Sequence, residues 1–397
     1  MSSEHLMGVY NRAPLAVERG RGARLWSTDG VEYLDCVAGI STNGLGHAHP
    51  ALVEAVKDQA DKLWHVSNIF RIPGQEALAD ALCASSFADV VFFTNSGTEA
   101  VECALKTARK YHSAKGSPER IDIYGFDGSF HGRTYGAINA AANPNYTNGF
   151  GPPMEGFHQL KWGDHDALKA AIAAPTTAAI IIEPVQGEGG CRVLPDQCLR
   201  GLRELCDQHG VLIIFDEVQC GMGRTGKLWA HEWAGMAPDI MAVAKALGGG
   251  FPIGACLSTT EAASGMTVGA HGSTFGGNPL AMAVGQAALG AINTPEILGN
   301  VQEISGYLKQ QLHGVMERYP DVIEDVRGKG LLIGIKLKPN NRDFMGWARD
   351  EQQLLVAGGG DNVVRILPPL NLTLEEAREA VEKLERTCAF ARTQMTA

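Results

Sequence analysis

Five apolar runs in the middle of the chain constrain its fold more than any other feature: "VVFFT" (90–94), "RIDIYGF" (120–126), "AAIIIEP" (178–184), "GVLIIFDE" (210–217) and "DIMAVAKAL" (239–247). Helical patterns such as 98–114 and 196–209 lie between them. A strand that is apolar throughout, rather than at alternate positions, is covered on both faces. Strands separated by helices pair in parallel under helical layers. The expected fold is therefore α/β, with a mostly parallel sheet covered by helices. Elsewhere the style changes. "ARLWSTDGVEYLDCV" predicts two short strands about Asp29-Gly30. "LLIGIKL" and "NVVRILP" also predict strands, and Thr373-Leu-Glu-Glu376 predicts a capped helix burying Ala377, Val381, Leu384 and Cys388. At 397 residues the chain is too long for one small core. The expected division is a large domain over 55–290 and a smaller α+β domain made of 1–54 and 291–397.

Charge and cysteine usage narrow the function. A formal net charge of −10 argues against nucleic acid, whose binding needs a basic patch. Nine cysteines without a C-x-x-C point away from a disulfide scaffold and a structural zinc, and no metal is expected. The N-terminal stretch has no apolar signal core, and no run reaches the length of a membrane helix. A soluble, cytoplasmic protein without membrane partners is expected.

Three features carry chemistry. "TNSGTEAVECALKTARKYH" ends a strand and opens a helix, with Ser96-Gly97-Thr98-Glu99 matching a capping box. A helix start with a glycine and two hydroxyls suits a phosphate. Asp216 ends the run Val211–Phe215, and the carboxyl ends of parallel strands are where α/β ligands bind. Lys245 sits among Met241, Val243, Ala244, Ala246 and Leu247, and a desolvated lysine becomes a nucleophile suited to Schiff-base chemistry. Taken singly, each has a plainer reading: a simple cap, a solvated strand end, an amine reaching the surface from a domain edge. Together they are what pyridoxal phosphate requires. Two motif matches in "GMGRTGK" are decoys. Leu228 stands where a phosphate loop needs Ser or Thr, and no helix follows the glycines as a dinucleotide turn demands.

The sequence resembles the class III, fold-type I pyridoxal-phosphate aminotransferases along nearly its whole length. The likeness rests on "GLGHAHP", "FTNSGTEAVECALK", "SFHGRT", "IIEPVQGEGG", "IFDEVQCGMGRTG", "AKALGGGFPIGA", "HGSTFGGNPLA" and "NVVRILPPLNLT". It implies that Lys245 carries the cofactor's aldehyde and shuttles the proton, and that Asp216 pairs with the pyridine nitrogen. Phe130 and Val218 would sandwich the ring, Gln219 would touch its hydroxyl, and Gly97 and Thr98 would hold the phosphate. Thr274 would reach the phosphate of a neighbouring subunit, which implies a homodimer with shared sites.

The resemblance also assigns substrate contacts. Arg133 would grip the α-carboxylate of an ω-amino donor, with Ser273 among the substrate-binding residues. Arg365 would bind glutamate or 2-oxoglutarate through a bidentate fork. Glu188 would pair with Arg365 until the second substrate arrives. Relatives acting on free ornithine place a tyrosine seven residues before the histidine of "GHxHP"; here that residue is Ile40. The expected donor is acetylornithine, with 2-oxoglutarate as acceptor and acylated analogues such as succinylornithine or succinyl-diaminopimelate as further donors. A 4-aminobutyrate transaminase is the nearest alternative.

Overall fold

The computed structural model describes residues 5–396. Its central sheet runs Val90–Thr94, Gly254–Ser258, Ile240–Val243, Leu212–Asp216, Thr177–Ile182, Asp122–Phe126, Phe157–Leu160. Pairing is parallel from Ile240–Val243 outward to Phe157–Leu160. Both faces are covered, and successive residues alternate between them. Ile181, Ile214 and Ala242 pack with Ala100, Ala104 and Ala108 of the helix Gly97–Ala114. Ile180, Ile213 and Met241 join the core on the other side, with Leu199, Leu202 and Cys206 of the helix Asp196–His209. This double burial is why these strands read as continuous apolar runs.

One strand breaks the parallel pattern. After Lys245 the chain turns through Gly249 and Gly250, whose φ angles are +55° and +116°, and returns as Gly254–Ser258. That strand lies antiparallel to both neighbours. Its sequence, "GACLS", carries little strand propensity of its own. It is fixed by pairing on two sides, and a side chain at Gly254 would strike the carbonyl of Ser96. The edge strand Phe157–Leu160 likewise carries little local signal, being short and half exposed.

Two four-stranded sheets flank this body. Val17–Arg21, Arg24–Ser27 and Glu32–Asp35 form an antiparallel set around the expected turn, and Leu354–Leu355 adds in parallel to Glu32–Asp35. Ile323–Lys329, Leu332–Leu337, Val363–Ile366 and Ala357–Gly359 form the other, fully antiparallel. The C-terminal helix Leu374–Thr396 opens on the expected reciprocal cap between Thr373 and Glu376. No helix among the described residues is long and apolar enough to cross a membrane.

Candidate active site

Five strands that point the same way deliver their next residues to one cavity of about 770 Å³. Val90–Thr94 leads to Ser96-Gly97-Thr98, Asp122–Phe126 to Phe130–Arg133, Thr177–Ile182 to Glu183, Leu212–Asp216 to its own last residue, and Ile240–Val243 to Lys245. The carboxyl edge of the sheet thus gathers groups from widely separated parts of the chain, as α/β sheets do.

Lys245 occupies the left-handed region, with φ +48°. A lysine held there is strained, and such strain persists only where the surroundings over-determine it. The following turn supplies that hold, since Gly248 and Gly249 both donate to the Lys245 carbonyl. The side chain is partly exposed, and the exposure is to the cavity it lines. Burial lowers its pKa to about 8, the Arg365 charge adds to the effect, and Asp216, Glu183 and Glu188 oppose it. Roughly a tenth of the amine is therefore uncharged at neutral pH.

Asp216 is 3% exposed. Its Oδ2 lies 2.8 Å from His131 Nδ1, and its Oδ1 accepts the Val218 N–H at 3.0 Å. Burial opposes a charge on His131, but the hydrogen bond and charge of Asp216 outweigh it and raise the histidine's pKa. The other ring nitrogen of His131 is buried without a partner among the described residues. Glu183 sits close by, accepting the N–H groups of Phe130 at 3.0 Å and Gly187 at 3.4 Å. Burial pushes its pKa up to about 7, against the pull of His131 and with the push of Asp216. Sequence reasoning missed both residues. Glu183 had a usable signal, because it follows a buried apolar strand just as Asp216 does. His131 had none.

The helix start differs from expectation in one detail. Ser96 Oγ accepts the Glu99 N–H, but the Glu99 carboxylate takes the N–H of Asn95 at 2.6 Å rather than that of Ser96. The hydroxyl of Thr98 is also engaged, facing Thr134 Oγ1 at 3.0 Å and accepting the Arg133 N–H at 3.2 Å. Each hydroxyl accepts an N–H here and keeps its own O–H to donate, which adds to the helix-start N–H groups that the site offers an anion. Gly97 allows the close approach of strand end and loop: a Cβ there would lie 2.7 Å from Val218 Cγ1.

Across the cavity Arg365 is 4% exposed. Its guanidinium donates to the Gly358 carbonyl and pairs with Glu188 at 2.9 Å. Arg133 is exposed, its guanidinium 3.8 Å from the Tyr146 ring centroid and 5.1 Å from that of Phe130. Gln219 is tucked under the loop after Glu183, where a Cβ on Gly187 would collide with it. Ile40 and Thr42 form another part of the wall. Ser273 and Thr274 do not line this cavity. Ser273 Oγ contacts Asn95 Nδ2 and the Gly276 N–H, while Thr274 is exposed.

A lysine, a strand-end aspartate and an anion-binding helix start on this sheet define a fold-type I transferase. The family described as Aminotransferase class-III matches residues 8–388, and the chain belongs to it. It is 76% identical over 397 residues to acetylornithine aminotransferase 2 of Caulobacter vibrioides, covering 100% of this chain and 98% of the relative. Among solved structures, N-acetylornithine aminotransferase from Stenotrophomonas maltophilia is 39% identical with a TM-score of 0.86, covering 97% of this chain and 98% of that one. A PLP-bound amine transaminase from an uncultivated Pseudomonas species is 31% identical with a TM-score of 0.90, covering 98% and 99%. The chain is an aminotransferase.

Proposed function

We propose that the chain moves the distal amine of N2-acetylornithine to 2-oxoglutarate, with pyridoxal 5′-phosphate as cofactor, giving N-acetylglutamate 5-semialdehyde and glutamate in arginine biosynthesis. The observation that carries this reading is the pairing of Arg365 with Glu188 at 2.9 Å inside the cavity of Lys245. A bare Arg365 would hold any α-carboxylate and so present the α-amine to the lysine. Covered by Glu188, it lets a distal amine enter first. Glu188 then leaves, and Arg365 takes the α-carboxylate of 2-oxoglutarate in a two-pronged grip. The 76% identity to a relative named for acetylornithine supports the donor.

The residues fit the cofactor. Gly97 lets Val218 close against the helix start whose N–H groups suit a phosphate, and Asp216 has an acceptor edge on the cavity, backed by His131. When bound, the cofactor supplies an aldehyde for the incoming amine and a ring that holds the electrons released as the C–H bond breaks. Lys245 takes the proton from the substrate carbon and returns it, a task suited to an amine near neutrality. Asp216 would keep the ring nitrogen protonated, Gln219 would meet the ring hydroxyl, and Phe130 and Val218 would cover the ring. Arg133 receives the donor's own carboxylate.

The same reading makes the enzyme a cytoplasmic homodimer, with a cofactor-binding domain over 55–290 and Thr274 reaching the partner's phosphate. Exposed apolar side chains beside that loop support the dimer: Trp64, Ile69, Phe70 and Phe275 all face outward in the single chain. The test is the visible spectrum of the loaded enzyme before and after N2-acetylornithine, then separately 4-aminobutyrate. Loss of the band with acetylornithine supports the reading. Loss with 4-aminobutyrate alone replaces it with a 4-aminobutyrate transaminase.

A further inference from the structure

One wall of the Lys245 cavity contains an unusual piece of backbone. Ala38, Gly39, Ile40 and Ser41 have φ angles of +47°, +60°, +58° and +65°, four left-handed residues in succession. Single left-handed residues are common, but consecutive ones are not, and a β-branched residue there is a true outlier. This turn presents Ile40 and Thr42 to the cavity. Something must hold it.

Beyond the bonds that Ser41 N–H gives the Val37 carbonyl and Asn43 N–H gives the Ala38 carbonyl, the hold comes from one buried carboxylate. Asp35 is 1% exposed. Its Oδ1 accepts the N–H groups of Val37 at 2.8 Å and Ala38 at 3.1 Å, the two that lead into the turn. Its Oδ2 lies 2.7 Å from His47 Nε2, and His47 Nδ1 lies 3.4 Å from Asn43 Nδ2. One neutral tautomer satisfies the whole chain: Asn43 donates to Nδ1, and the Nε2–H donates to Asp35. His47 is itself anchored, exchanging two backbone hydrogen bonds with Gly22.

The turn is also fastened to both chemical ends of the site. A Cβ on Gly44 would lie 2.9 Å from that of Ala246, and one on Gly250 would lie 2.7 Å from Asn43 Oδ1, so the loop rests on the segment that follows Lys245. The Cys36 carbonyl accepts the Leu367 N–H at 2.8 Å, two residues beyond Arg365. The loop thus spans the reactive lysine and the acid-binding arginine.

We propose that Asp35 and His47 are positioning residues for donor selection: they hold the left-handed turn at 38–41 and so set how far the Ile40 wall stands from the acylamino end of the donor. The inference rests on the aminotransferase reading above. Neither residue touches the cavity, so the effect passes through the backbone of the turn alone. Loosening that backbone changes which donor fits, more than it changes the chemistry at Lys245.

The test compares loaded wild-type enzyme with Asp35→Ala, Asp35→Asn and His47→Gln, measuring kcat/KM for N2-acetylornithine and for 4-aminobutyrate, and KM for 2-oxoglutarate. Hydrogen exchange across residues 36–44 is followed in parallel. The expected result is a fall of tenfold or more in the acetylornithine to 4-aminobutyrate ratio for Asp35→Ala, faster exchange in that segment, and an unchanged visible spectrum. His47→Gln, which retains a donor to Asp35, recovers most of the ratio. Should Asp35→Ala fail to fold, Asp35→Asn decides the matter: it removes the charge that holds the two N–H groups and His47, and is expected to lower the ratio about threefold or more. An unchanged ratio in a folded, loaded Asp35 variant overturns the inference, as does an equal loss with both donors. If wild-type enzyme ignores acetylornithine altogether, the functional reading falls instead, which the wild-type column alone reveals.

Discussion

Two neighbouring carboxylates at the end of one strand face different worlds. Asp216 and Glu217 are both buried, and each is paired with a histidine. Glu217, 1% exposed, has its carboxylate committed: it accepts the N–H groups of Ala230 at 2.6 Å and His231 at 2.9 Å, and it meets His231 Nδ1 at 2.7 Å. It pins the short helical turn Ala230–Trp233 beneath the strand. Asp216 meets one histidine and one N–H, and it borders the cavity. The residue type and burial are nearly the same. What separates a structural charge from a functional one here is spare acceptor capacity facing open space.

That contrast can be broken experimentally. Asp216→Asn should lower kcat at least roughly a thousandfold while leaving the melting temperature near wild type, since charge aimed at the reacting group dominates such sites. Glu217→Gln should do the reverse, costing about 3–5 kcal/mol of stability as a broken buried pair while folded molecules keep most of their turnover. Denaturant titration and steady-state kinetics on both variants read the outcome; matching losses in the two would erase the distinction.

The histidines sharpen it at smaller scale. His131→Phe should reduce turnover roughly tenfold to a hundredfold, the usual effect of losing a group that orients a key residue. His231→Phe should show mainly as a lower melting temperature. Glu188→Ala should shift preference toward glutamate over the ω-amino donor by about threefold to fivefold, the scale of a partly exposed ion pair; stopped-flow rates of the two half-reactions measure it.

A pH-dependent effect concerns Lys245. Its folded pKa of about 8 lies below the ordinary 10.5. Between those values the unfolded chain holds a proton that the folded chain has lost, so stability rises with pH there. Cofactor-free enzyme should therefore gain at most about 3 kcal/mol from pH 8 to 10.5 relative to Lys245→Met, and no such gain below pH 8. Melting curves of both proteins across that range provide the check.

Much of this was legible in the chain. The continuous apolar runs gave five strands of the central sheet because burial on both faces leaves a local record. Lys245 stood out because an ammonium in an apolar run is costly unless it has a task. The C-terminal helix declared its start through Thr373 and Glu376, three residues apart. Legibility ended where partners came from afar. "GACLS" became a strand only because edges waited on both sides, and the left-handed turn at 38–41 exists because a carboxylate and a histidine close around it.

The sequence by itself determined the class of fold, the lysine, the strand-end aspartate and the glycine-led helix start, since each follows from patterning within a few neighbouring residues. The tertiary structure alone decided which of two adjacent acids keeps an open face, that His131 stands behind Asp216 from 85 residues away, and that Glu188 covers Arg365. Hydrogen-bond saturation is a property of three-dimensional neighbours, and no local spacing encodes it.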